Sequence, residues 1–131
     1  MQSVVKLLTA LVTVAGLSAP ALAAAASPAG IWQTSTGESR YEVSMCGDGT
    51  QLCAKLIWLS DSPVNNGSEK YLNTFLIEKA KQVGPNKWSG DVHAKGQTLS
   101  GTVTLRDANT IDLRGCLMAI FCKGFVLNRH E

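Results

Sequence analysis

The chain is poor in the residues that most often carry out chemistry. It holds only two histidines, His93 and His130, in 131 residues. No H-E-x-x-H pair, phosphate-cradling glycine loop, G-x-S-x-G elbow or calcium loop occurs, which removes the common metallohydrolase, nucleotide-binding and serine-hydrolase classes. The four cysteines, Cys46, Cys53, Cys116 and Cys122, show no C-x-x-C spacing. Neither a thioredoxin-type redox pair nor a four-cysteine zinc site is therefore expected. A surplus of one charge is lacking too, with 12 basic residues against 10 acidic ones and no runs of either sign. Such a balance gives no long-range field to gather nucleic acid or an anionic membrane, and nucleic-acid binding is not expected.

What is present begins with a leader. Residues 1–23 read as a secretory signal peptide: Lys6, an apolar stretch from Leu7, and Ala21-Leu22-Ala23 as the small-x-small site. The alternative is an uncleaved anchor, because the uncharged stretch Leu7–Ala26 has a spanning length. Gly16, Ser18 and Pro20 interrupt it and favour the signal. Cleavage leaves one domain, residues 24–131, in the periplasm or outside the cell, with no membrane span of its own. A domain this short buries only about two-thirds of its unfolded surface, so covalent staples matter.

Four cysteines allow three pairings, and strand patterning chooses among them. Tyr41, Val43 and Met45 alternate with polar neighbours, as do Leu52, Ala54, Leu56 and Trp58, and Gly47-Asp48-Gly49 lies between the two runs. A hairpin with Cys46 opposite Cys53 sets Met45 against Ala54, Val43 against Leu56 and Tyr41 against Trp58 on the apolar face. Cys116 opposite Cys122 sets Leu113 against Phe125 and Ile111 against Leu127. Two local bridges on outer faces are thus expected, each contributing roughly 2–3 kcal/mol for such short loops.

Period-two alternation continues through most of the remaining chain and predicts eight strands, at about 30–36, 39–46, 51–59, 75–83, 86–94, 97–106, 110–116 and 122–130. The fourth also fits a short helix face through Leu76, Ile77, Ala80 and Val83. Residues 60–72 form the one long polar loop. Eight short antiparallel strands with one apolar face predict an all-β, closed up-and-down barrel, with a two-sheet sandwich as the alternative. Closure is favoured by parity. It places Arg129 of the last strand over the ring of Trp32 in the first.

Gly30-x-Trp32 with a late arginine is similar to the lipocalin arrangement. GIWQT, MCGDGTQLCAKLIWL, KWSG, LRGC and the closing FC…LNR resemble, across residues 30–129, domain-of-unknown-function family 2147. The resemblance implies an exported bacterial protein with a lipocalin-like barrel and assigns no activity. Two departures stand out. Ala54 replaces the usual glycine after the second cysteine and should crowd the interior, and Leu127 stands where tryptophan is frequent.

Candidate site residues follow from the same registers. Trp32, Tyr41, Trp58 and Trp88 are expected to face inward, as an apolar lining with a few polar handles or as plain core. Gly90, Gly101 and Gly115 should form a row across three strands, which either bends the sheet or opens a pocket. With Arg129, these are the candidate ligand-binding residues. No catalytic residue, cofactor or metal site is expected. The histidines read as surface residues, and Asp91 with His93 on one strand face would be the first pair to test in an enzyme. Two functions remain: a binding module for a small apolar or amphipathic ligand inside the barrel, or a structural or protein-interaction module of the envelope with a filled barrel and a working surface loop at residues 60–72.

Overall fold

Alternating side chains can bury one face of a strand only if the sheet finds something to cover it, and here the sheet covers itself. The computed structural model describes residue 16, residues 26–118 and residues 120–131; the proposed leader, residues 1–23, lies outside them apart from Gly16. Eight strands run in order: β1 (Gly30–Thr34), β2 (Ser39–Cys46), β3 (Gln51–Leu59), β4 (Phe75–Gly84), β5 (Lys87–Ala94), β6 (Gln97–Asp107), β7 (Thr110–Leu117) and β8 (Phe121–Arg129). Each pairs antiparallel with its neighbour in sequence, and β1 pairs with β8, so the barrel is closed and up-and-down. The sandwich alternative is excluded, and residues 75–84 are strand rather than helix.

The core is the inner face of every strand. Trp32, Val43, Leu52, Ile77, Trp88, Val103, Ile111 and Leu127 are all buried in one cluster, with Tyr41, Met45, Leu76 and Leu99 packed against it. Both bridges form as expected, Cys46–Cys53 and Cys116–Cys122, and no described cysteine is free. Cys116 and Cys122 are direct partners with Cα atoms 4.0 Å apart, and the whole β7–β8 register agrees with the alternation.

The β2–β3 hairpin differs from expectation by two residues. Val43 pairs with Ala54 rather than Leu56, Ser44 lies opposite Cys53, and Cys46 lies opposite Gln51. The Cys46–Cys53 bridge is therefore diagonal, spanning 6.0 Å between Cα atoms. Two-residue slippage keeps every side chain on the same face, so apolar parity cannot distinguish the two registers. A bulge at Arg40/Tyr41 then recovers one of the two residues by pairing Arg40 with Trp58. The expected interior position of Trp58 is corrected accordingly: a one-residue offset turns it to the outer face, where the Arg40 guanidinium stacks 4.1 Å from its ring centroid. Ala54 is buried, and the β3–β4 ladder shifts register on both sides of it.

The 60–74 connection is polar yet ordered. Two single 3-10 turns, Pro63–Asn65 and Glu69–Tyr71, are fastened to the barrel by Asn65, whose buried side-chain amide donates to the carbonyls of Glu38 (2.8 Å) and Ser60 (3.0 Å) and to Ser60 Oγ (3.1 Å). Backbone bonds between Leu56 and residues 73–74 clamp its other end. Replacing Asn65 by Ala removes these donors; the Glu38 carbonyl keeps its bond from the Ser60 N–H, but the Ser60 carbonyl loses the amide, which should cost about 1–3 kcal/mol. Denaturant unfolding would read that loss, and hydrogen exchange should accelerate first at Asn73 and Leu56; an unchanged midpoint would contradict the fastening role.

Candidate functional site

The two ends of the barrel are built differently. One end carries both described chain ends and the turns at 47–50, 85–86 and 108–109, and it is sealed. Gly30 sits at φ 142°, a conformation side chains rarely adopt, and a Cβ there would meet the Arg129 guanidinium and the Glu131 carbonyl. The glycine of Gly30-x-Trp32 thus lets β8 close over β1. Arg129 lies 4.4 Å from the Trp32 ring centroid and donates to the carbonyls of Ala108 (2.6 Å), Ala29 (2.8 Å) and Ser27 (2.8 Å). The Trp32 indole N–H donates to Pro28 O at 2.8 Å, and that of Trp88 to Thr50 O at 2.9 Å. Both tryptophan handles are therefore satisfied at the sealed end.

Inside the barrel little space remains. An interior void, lined among others by Tyr41, Val43, Leu76, Ile77, Val103 and Leu113, measures about 10 Å³. That is about one water, against the 300–1,000 Å³ of typical ligand pockets. Gly90, Gly101 and Gly115 do lie in one row across β5, β6 and β7, but neighbours fill the volume they free. A Cβ on Gly101 would overlap Val92 Cγ2; one on Gly90 would stand 3.0 Å from Ala80 Cα, and one on Gly115 3.3 Å from Leu99 Cδ1. Of the expected lining, Trp32, Trp88 and Tyr41 point inward, and Trp58 does not. Burial pushes the Tyr41 phenol above its ordinary pKa, partly offset by a 3.4 Å hydrogen bond donated by Ser39 Oγ.

On the outside, a one-residue bulge in β4 turns both Glu78 and Lys79 outward. With Lys81, Ser89, Asp91 and His93 they line an open groove of about 420 Å³. Asp91 and His93 thus do share one surface, but both are exposed, and the histidine Nδ1 faces Thr98 Oγ1 at 3.2 Å. Among the described residues, no three histidine, cysteine or acidic side chains converge as a metal site.

The other end, which carries the 34–39, 60–74, 95–96 and 118–120 connections, is the exposed one. Its most distinctive feature is one that strand alternation does not reveal. The turn between the paired Cys116 and Cys122 is apolar, with Met118 80%, Ile120 79% and Phe121 70% exposed. Turn segments are usually built from glycine, proline, asparagine, aspartate and serine, so the C-L-M-A-I-F-C run was the available signal.

A disulfide-stapled, closed, up-and-down eight-stranded barrel is the class that the fold defines. Within that class, the chain belongs to the bacterial family described as "uncharacterized protein conserved in bacteria (DUF2147)", whose model matches residues 30–129. No curated protein matches the chain, and no solved structure does. The paired cysteines fit folding in an oxidising compartment, and no helix among the described residues is long and apolar enough to cross a membrane.

Two outcomes test this geometry. Arg129→Ala should destabilise the barrel by about 1–3 kcal/mol through lost stacking and charge-assisted bonds, while Arg129→Lys, which cannot fork to three carbonyls, should recover only part of it in chemical denaturation. The raised Tyr41 pKa has the opposite sign to an acid-sensitive group. Its neutral form is favoured in the folded state, so stability holds below the unfolded phenol value near 10 and falls as pH rises through the folded value. Tyr41→Phe should flatten that alkaline decline in unfolding measured above about pH 10.

Proposed function

We propose that this protein is an exported, non-enzymatic interaction module of the cell envelope: a rigid, filled barrel that presents a working surface at the end carrying the 60–74 loop and the β7–β8 hairpin. The observation that carries this reading is the interior void of about 10 Å³. A barrel that sequesters a small apolar ligand needs a pocket tens of times larger. The sealed Trp32–Arg129 end supports the reading as well, since it provides no second mouth. Apolar patches on exported proteins are costly unless they are used, and this end carries most of the exposed large apolar side chains among the described residues. The near-balanced charge supports a reading without nucleic acid, and the exposed, water-accessible Asp91–His93 groove supports one without catalysis. Export to the periplasm or beyond rests on the leader-like residues 1–23 together with the disulfides.

The competing reading, uptake of an apolar molecule into the barrel, makes an opposite prediction. If the glycine row were the floor of a pocket, Gly101→Leu would fill it and spare the fold. In a filled barrel the new side chain collides with Val92, and overpacking of this kind costs typically 1–3 kcal/mol. Gly101→Leu should therefore lower the melting temperature, and long-chain fatty acids should leave the tryptophan fluorescence of the unmodified protein unquenched. Saturable quenching that Gly101→Leu abolishes without loss of stability would reverse the choice.

A further inference from the structure

We infer that the disulfide-stapled β7–β8 tip is a membrane-docking element that seats in the interface of an anionic lipid bilayer; this deepens the reading above by naming the partner of that surface.

Four observations carry the inference. The first is composition at the surface: Leu117, Met118, Ile120, Phe121, Phe125 and Val126 are exposed on one hairpin, while the barrel interior takes up the other large apolar residues of β7 and β8. The second is projection. Thr34 ends β1, its hydroxyl accepting from the backbone N–H groups of Glu38 and Ser39 as the chain turns into β2. Beyond the bond from Ser35 N to Val126 O, β8 then has no strand on its outer side, and residues 121–126 are exposed on both faces. The third is preorganisation. Cys116–Cys122 ties the neck of the tip and so reduces the backbone freedom that insertion would otherwise remove.

The fourth observation concerns charge and selects the partner. From Leu113 to Arg129 the sequence has no acidic residue, and Arg114 and Lys123 lie just behind the tip. The Lys123 ammonium stands 5.2 Å from the Phe125 ring centroid. Apolar residues at the apex and cations one step behind match the layering of acyl chains and anionic headgroups. The balanced charge of the whole chain supplies no steering from a distance, so these cations act only at contact. A second copy fits this surface poorly. Antiparallel pairing of β8 with its twin would bring Lys123 toward its own symmetry mate, and a lysine on a bare strand edge is a device against such pairing. Val64 and Phe75, also exposed, lie at the same end and give the bilayer further apolar surface to cover.

Co-sedimentation of the full, oxidised protein with vesicles tests this directly. Vesicles of phosphatidylcholine mixed with phosphatidylglycerol should bind the protein, and pure phosphatidylcholine vesicles should bind it more weakly. The double substitution Ile120→Ser, Phe121→Ser should weaken binding by about tenfold or more, with an unchanged melting temperature because both side chains are exposed. Arg114→Ala with Lys123→Ala should erase the preference for the anionic vesicles. Absence of binding to either vesicle, or undiminished binding by the Ile120/Phe121 variant, would overturn the inference, as would a dimer in solution that the same two substitutions dissolve. Failure of the broader reading is separately visible, because it would appear as fatty-acid uptake into the barrel whatever the vesicles do.

Discussion

Closure of the sheet at the β1–β8 seam is the constraint on which the rest of this structure depends. An open eight-stranded sheet would expose two edges; here a short antiparallel ladder joins the last strand to the first, and one arginine reinforces it. Arg129 stacks on Trp32 and at the same time bridges carbonyls from residues 27, 29 and 108. It therefore fixes the N-terminal segment, the β6–β7 turn and the seam together. The absence of a side chain at Gly30 is part of the same device, because any Cβ would occupy the space of the guanidinium and the terminal carbonyl.

Once closed, an eight-stranded barrel has an interior of limited width, and side-chain volume decides whether it becomes a pocket or a core. Tryptophans at 32 and 88 fill the sealed end, and Val92, Ala80 and Leu99 occupy the space beside the glycine row. The glycines thus admit close approach of neighbouring side chains rather than leaving a vacancy. Filling also explains why the polar handles point away from the centre: both indole N–H groups donate to backbone carbonyls, and among the described residues every buried side-chain nitrogen or oxygen has a partner.

With the interior committed to packing, what distinguishes this barrel lies on its outside, in the asymmetry of the two ends. The short β1 leaves residues 121–126 of β8 uncovered, and the disulfide ties the neck of that hairpin. The 60–74 loop, polar and long, would have been the natural place to look for a moving part. Asn65 instead anchors it to the barrel through one buried amide. Anchored loop and projecting apolar tip then stand at one end of a closed barrel whose strands are of unequal length.

Much of this was determined by the sequence alone. Period-two alternation was enough for seven of the eight strands, for the Arg129–Trp32 contact, for both disulfides and for the β7–β8 register, because each rests on which face a side chain takes and parity is a local property; strand rather than helix at residues 75–84, and a closed barrel rather than a sandwich, were decided by the tertiary structure. Ile111–Leu127 and the Gly90–Gly101–Gly115 row are cases in point. Parity was blind to a slip of two residues in β2–β3, since both registers bury the same face, and to the bulge that carries Trp58 outward beneath Arg40. Whether the barrel holds space was equally beyond reach, because a cavity is a property of side chains from several strands meeting at one place. The apolar C-L-M-A-I-F-C turn was plainly written, yet only the tertiary structure decided its meaning: β1 ends too early to cover it, so residues that would otherwise be core stand in solvent.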